Sequence, residues 1–208
     1  MLLRFIVIAG LGLCLAAGIV RADEAATNEL IERLGGIEQL SGRFDQEQFS
    51  RDSGEKVGGA SGNFKLLRPH YFAWEIDAPD SQLIVADPEY VWHHDRDLET
   101  VTRRPVEGNE ALSPLQVLGG DNEALRANYQ VERDGEGRYQ LTPNASNAGF
   151  KQLVLVLEDG QLAGMEIRDN LDQRLVIRFS AVETSPGLTP ADFAFQPPEG
   201  VDLFYHDQ

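Results

Sequence analysis

Turn signals recur along this chain at fairly even intervals, and they leave room for short strands and little else. Asp52-Ser53-Gly54, Arg68-Pro69, Ala78-Pro79-Asp80, Asp87-Pro88, Asp95-Arg96-Asp97, Asp134-Gly135, Asp159-Gly160 and Asp169-Asn170 separate apolar-rich segments. Gly accepts positive φ, Pro presets φ, and Asp or Asn bonds its own backbone, so each cluster reverses the chain for a physical reason. The spacing predicts an antiparallel meander. Candidate strands are 41–51, 58–67, 71–77, 82–86, 90–93, 98–103, 129–133, 138–141, 150–157, 162–168 and 174–181, with a C-terminal piece at 201–205.

Alternation is clear in several of these. Phe72, Trp74 and Ile76 share one face, opposite Tyr71, Ala73 and Glu75. Leu175, Ile177 and Phe179 share a face opposite Arg174, Val176, Arg178 and Ser180. Segment 150–157 is apolar on both faces after Gln152, which predicts a place inside the sheet with cover on both sides. Two regions have helical spacing instead. Leu30, Ile31 and Leu34 form one face of an N-terminal helix that starts at Asp23 or Thr27 and stops at Gly35-Gly36. Segment 111–126 carries Leu112, Leu115, Val117, Leu118 and Leu125 at helical intervals, and Gly119-Gly120 divides it into two short helices. The expected fold class is mainly β (α+β): a single curved antiparallel sheet with helices packed on one face.

The first segment is not expected to belong to that fold. Arg4 gives a charged start, residues 5–17 an apolar run, and Val20-Arg21-Ala22 small side chains where a signal peptidase reads. The run is shorter than the ~20 residues that span a bilayer. Cleavage after Ala22 leaves 186 of the 208 residues as a single domain, 23–208. Cys14 follows Leu11-Gly12-Leu13, and the bulky Leu13 breaks the pattern of a lipid-modified cysteine. The remaining chain then has no cysteine, which excludes thiol catalysis, disulfides and cysteine metal sites, and fits a bacterial periplasm. The net charge is −16, and loss of Arg4 and Arg21 makes it about −18. That disfavours nucleic acid and stable insertion into anionic membranes.

The templates for catalysis are empty. Gly59-Ala60-Ser61-Gly62 lacks the glycine spacing of a nucleophile elbow. His93 and His94 are strand neighbours and point to opposite faces, so they do not chelate one metal together. No glycine-rich phosphate loop follows a strand. No cofactor and no enzymatic activity are expected. What remains is apolar surface: Phe44, Phe64, Leu66, Phe72, Trp74, Ile76, Trp92, Phe150, Leu153, Leu155 and Phe179. An ordinary core accounts for many of these residues. A few short helices are thin cover for so many strands, and that mismatch opens a second reading, an apolar cavity.

These residues carry a resemblance. Arg68-Pro69 with Phe72 and Trp74, then Leu141-Thr142-Pro143-Asn144-Ala145-Ser146-Asn147 followed by Leu153, then Phe193-Ala194-Phe195-Gln196-Pro197-Pro198-Glu199-Gly200-Val201, occur in an order that resembles the LolA family of periplasmic lipoprotein carriers. The resemblance implies an incomplete β-barrel of about eleven antiparallel strands with a helical lid over its apolar concave side. It implies acylated lipoproteins as cargo, received from an inner-membrane lipoprotein-releasing ABC transporter of the LolCDE type and passed to the outer-membrane receptor LolB, in a Gram-negative periplasm. Phe72 and Trp74 fall on the family's aromatic strand positions, and the cargo-binding cavity is expected at these two with Phe44, Phe64, Leu66, Ile76, Trp92, Leu153 and Leu155 from the apolar surface above. The resemblance places the gate and lid at Arg68, Pro69, Leu112, Pro114, Leu115, Val117 and Leu118, with Arg68 on the family's gating arginine. His70-Tyr71 and Glu75 depart from the family pattern inside the arginine motif, and Gly119-Gly120 is expected to loosen the lid. A monomer is the default expectation. The alternative is a periplasmic domain of the same fold that binds or senses a free lipid or a hydrophobic peptide.

Overall fold

The computed structural model describes residues 18–106, 114–119 and 122–206, and side chains for 24–106, 117–119 and 122–206. Helix α1 (Gly18–Gly35) is followed by six strands: β1 (Gln39–Phe49), β2 (Lys56–Leu67), β3 (Tyr71–Ala78), β4 (Gln82–Ala86), β5 (Tyr90–Asp95) and β6 (Thr100–Pro105). Helices α2 (Pro114–Gly119) and α3 (Asn122–Asn128) come next. Then follow β7 (Tyr129–Arg133), β8 (Arg138–Pro143), β9 (Phe150–Glu158), β10 (Gln161–Asp169) and β11 (Arg174–Glu183), a short 3-10 turn at Pro190–Phe193, and β12 (Asp202–Tyr205).

All twelve strands form one sheet in the order β12-β6-β5-β4-β3-β2-β1-β11-β10-β9-β8-β7. The sheet is curved and unclosed: β12 and β7 are its two edges. Eleven strands are antiparallel, as expected, and form two meanders, β1–β6 and β7–β11, joined where β1 pairs with β11. The twelfth corrects the expectation, because β12 runs parallel to β6, pairing Asp202 with Thr100 and Tyr205 with Arg103. A parallel pair needs a long crossover. Here the chain between β11 and β12 supplies it by passing over the convex face. Strand β6 also starts later than the sequence implied. Leu98 lies in the preceding turn, where Asp95 accepts the N–H groups of Asp97 and Leu98, and its side chain is exposed.

The concave face holds the main core. In α1, Ala26, Leu30 and Leu34 fall at i, i+4 and i+8 and are buried against it. The proposed cleavage point after Ala22 falls inside α1. Short α2 and α3 bury Val117, Leu118 and Leu125 on the same side. Strand β9 lies inside the sheet between β10 and β8, with Leu153 and Leu155 buried among the core residues. Gly42 shows how closely this face is packed. A Cβ there would lie 2.9 Å from the Phe64 ring and 3.0 Å from the Ser180 carbonyl oxygen.

The convex face has a smaller core of its own over β3 to β6. Gln39 holds the Leu188 N–H and carbonyl at 2.8 and 3.3 Å. Phe193 packs on Tyr71, and Phe195 packs on Trp92 and His94. The Arg103 guanidinium stacks on Tyr90 at 4.2 Å and on Tyr205 at 4.6 Å. Residues 188–205 thus form a strap that seals Val85 and Val101.

Candidate functional site: a lidded aromatic face

The aromatic positions meet because strand register aligns them. Phe64 pairs with Trp74 across β2 and β3, and Phe44 pairs with Phe179 across β1 and β11. On the concave side the Phe44 and Trp74 rings stack at 3.8 Å, the Phe64 and Phe179 rings lie at 4.8 Å, and Trp74 meets Phe179 edge-on at 6.1 Å. Leu66 and Phe72 pair beside them. Phe44, Phe64, Leu66, Phe72 and Trp74 are buried, so the helices stand closed over this part of the face. Ile76, Ile84, Val91, Leu175 and Phe179 are only half-buried and form an apolar rim around the covered centre.

One cavity position is corrected. Register pairs Trp92 with Val85 and Arg103, and Val91 with Ala86. Val91 and Ala86 belong with the concave core, so Trp92 points to the convex side, where it contacts Phe195. A one-residue difference in parity moves a side chain to the other face. His93 and His94 separate the same way: His93 is exposed beside Gln82, while His94 is buried against Phe195.

The lid is fastened at its helix ends. Leu34, in the last turn of α1, offers a carbonyl with no partner further along the helix. It accepts the Ile37 N–H at 3.0 Å and the Arg68 Nη1–H at 2.7 Å. The other arm of Arg68 reaches Asn122 Oδ1 at 3.5 Å, at the start of α3. His70 has a left-handed φ of 79°, a conformation His tolerates better than most residues. That bend aims its N–H at the Gly119 carbonyl, 2.8 Å away, at the end of α2. The turn 68–70 therefore touches all three helices. Asn144 closes the far end of α3. Its backbone N–H bonds the Asn128 carbonyl and its side chain bonds the Ala127 carbonyl, at 2.8 and 2.9 Å. Pro69 is exposed beside Arg68. Pro114 and Leu115 lie on the α2 backbone, Val117 and Leu118 are buried beneath it, and Leu112 lies outside the described residues.

Sequence reasoning missed the acceptor carbonyls, which any residue type supplies, and the rim residues Ile84 and Val91. It quoted Asn144 within a motif but gave it no part in the lid. The signal that finds it is an asparagine shortly after a helix, where carbonyls await donors.

No helix among the described residues is long and apolar enough to cross a membrane. The family model for "Outer membrane lipoprotein carrier protein LolA" matches residues 35–196. An outer-membrane lipoprotein carrier protein of Alkalilimnicola ehrlichii is 35% identical over 202 residues, covering 97% of this chain and 94% of that one. The protein of the same name from Dechloromonas aromatica is 35% identical over 194 residues, covering 91% and 92%. Among solved structures, a LolA superfamily protein from Nitrosomonas europaea superposes with a TM-score of 0.51 at 9% identity, covering 82% of this chain and 98% of that one. An uncharacterized conserved protein from Thermus thermophilus gives 0.52 at 12% identity, covering 86% and 98%. Those two show a shared fold. With the family match over residues 35–196 and relatives above 30% identity along most of their length, the chain belongs to the LolA family of outer-membrane lipoprotein carrier proteins.

Proposed function

We propose that this chain is a periplasmic carrier that binds the acyl chains of outer-membrane-directed lipoproteins and shields them from water. The observation that carries the reading is a curved apolar face covered by short helices whose ends are tied to one turn, Arg68 to His70. A triacyl anchor has on the order of 45 methylenes, each worth about 0.8 kcal/mol when buried, so exposure to water would cost roughly 35 kcal/mol. Only an enclosed apolar surface that the chains enter directly offsets that cost. Phe44, Phe64, Leu66, Phe72, Trp74 and Ile76, with Leu153 and Leu155 deeper along the sheet, are such a surface once the helices move aside.

Opening exchanges a few helix-end hydrogen bonds for acyl contacts. Each such bond contributes about 1 kcal/mol net, somewhat more from a guanidinium. That scale keeps the empty form shut and lets cargo open it. Arg68 is the gate and α2 the moving cover. Residues 1–22 direct export and are removed, and residues 23–208 act as one monomeric domain. The carrier is loaded by an inner-membrane ABC transporter of the LolCDE type, which supplies the energy, and unloads to the receptor LolB.

The test is lipoprotein release. Purified chain 23–208 is incubated with transporter proteoliposomes holding an acylated lipoprotein. Soluble cargo in a one-to-one complex with the chain is the expected result. Cargo that stays in the membrane while the chain is folded overturns the reading.

A further inference from the structure

The end of the sheet farthest from Arg68 carries a basic cleft in an otherwise acidic protein. Register places Phe49, Arg174 and Arg168 side by side on β1, β11 and β10, on the convex face. The turn between β1 and β2 adds Ser50, Arg51 and Gly54, and the turn between β10 and β11 adds Asp172. Together they line a cleft of about 470 Å³. Asp52 and Glu55 belong to the same β1–β2 turn but are not in the lining.

The charge here is poorly balanced. Three arginines and one aspartate give the lining +2, whereas the whole chain carries −16. Asp172 is itself shared, bonding Lys151 at 2.8 Å and Arg51 at 3.6 Å. Asp169 is turned to the backbone N–H groups of Leu171 and Gln173. Among the described residues, Arg168 and Arg174 have no carboxylate within ion-pair distance. They are nevertheless direct cross-strand partners. Like charges directly opposite one another destabilise a sheet. Arg174 is held in place by its stacking on Phe49, 4.7 Å from the ring.

We propose that this cleft binds a phosphate monoester, with its oxygens between the Arg168 and Arg174 guanidiniums and Arg51 at the rim. A monoester carries −1.5 to −2 near neutral pH, which matches the lining. Its three terminal oxygens suit guanidinium forks better than a single carboxylate does. The site is separate from the aromatic face and does not depend on the carrier reading.

The experiment compares thermal unfolding in inorganic phosphate and in chloride at equal ionic strength, for the native chain and for R168Q/R174Q. Both arginines are exposed, so the double variant keeps the fold. At about tenfold excess over Kd, phosphate raises the native Tm by roughly 3 °C. The double variant loses that rise, and its Tm in chloride equals or exceeds the native value. The variant also controls for the general stabilising action of phosphate on folded proteins. Equal native Tm values in the two salts, or an undiminished rise in the double variant, overturn the proposal. Two further arms identify the source once the rise is seen. Co-sedimentation with phosphatidylcholine vesicles containing phosphatidic acid, but not without it, assigns the ester to a lipid headgroup. A rise with glycerol phosphate and no vesicle binding assigns it to a soluble ester.

Discussion

Arg68 Nη1 donates a 2.7 Å hydrogen bond to the carbonyl oxygen of Leu34 and so ties the β2–β3 turn to the last turn of α1. The substitution Arg68→Leu removes this bond and the reach to Asn122 but leaves the turn backbone and its link to Gly119 in place. The expected result is a folded protein whose α1 C-terminal turn and first turn of α3 exchange amide hydrogens roughly ten- to a hundredfold faster. The local loss is about 1.5–3 kcal/mol, the range for a bond from a charged donor. Hydrogen exchange by mass spectrometry reads it directly. Global unfolding would instead make Arg68 a structural residue.

Phe44 and Trp74 give a contrast with Phe179. Trp74 is buried and stacked on Phe44, so Trp74→Ala leaves a cavity at a cost of about 3–5 kcal/mol. Phe179 stands half-buried at the rim, and Phe179→Ala is expected to cost less than half as much while reducing the uptake of acylated cargo. Urea unfolding and the release assay separate the two effects. Equal destabilisation would show that the rim is simply more core.

Gly42→Val is expected to destabilise by about 1–3 kcal/mol, the usual cost of overpacking. The added Cβ alone meets the Phe64 ring and the Ser180 backbone carbonyl, and only the ring can move. The check is near-UV circular dichroism, where a displaced Phe64 alters the aromatic signal of Trp74 and Phe179. An unchanged spectrum with native stability would contradict this packing.

His94 makes the convex strap sensitive to acid. Burial pushes its imidazole below the ordinary range, and Arg96 adds to that while Asp95 opposes it. The unfolded chain therefore binds the proton more readily than the folded chain. Stability is full above the unfolded value, about 6.5, and falls as the pH drops below it. Urea midpoints of native protein and His94→Phe between pH 7.5 and 5 are the measurement. The native midpoint falls and the variant falls less. Parallel curves would remove His94 from the account.

The strands were largely legible because turn chemistry is local. Segments 82–86 and 129–133 coincide with β4 and β7, as Pro, Gly and Asp mark their ends. The concave positions of Phe72, Trp74 and Ile76 follow from alternation alone. Trp92 could not be placed that way. Its face depends on how the Asp87–Glu89 turn sets the register of β5 against β4, and aromatic character says nothing about that. The strap was hidden for a different reason. Residues 184–201 have no period of either kind and read as coil, yet Phe193 and Phe195 seal a second core because Gln39 and β12 fix both ends. The pairing of Arg168 with Arg174 likewise exists only once β10 and β11 are in register.

Strands β12 and β7 never meet, so this sheet has no fixed circumference. In a closed barrel, strand number and shear set the bore, and widening it means breaking a ladder. Here the two margins can spread or approach by small changes of twist along the sheet, with every ladder bond kept. The interior can then adjust to the girth of what it holds, whether that is one hydrocarbon chain or several.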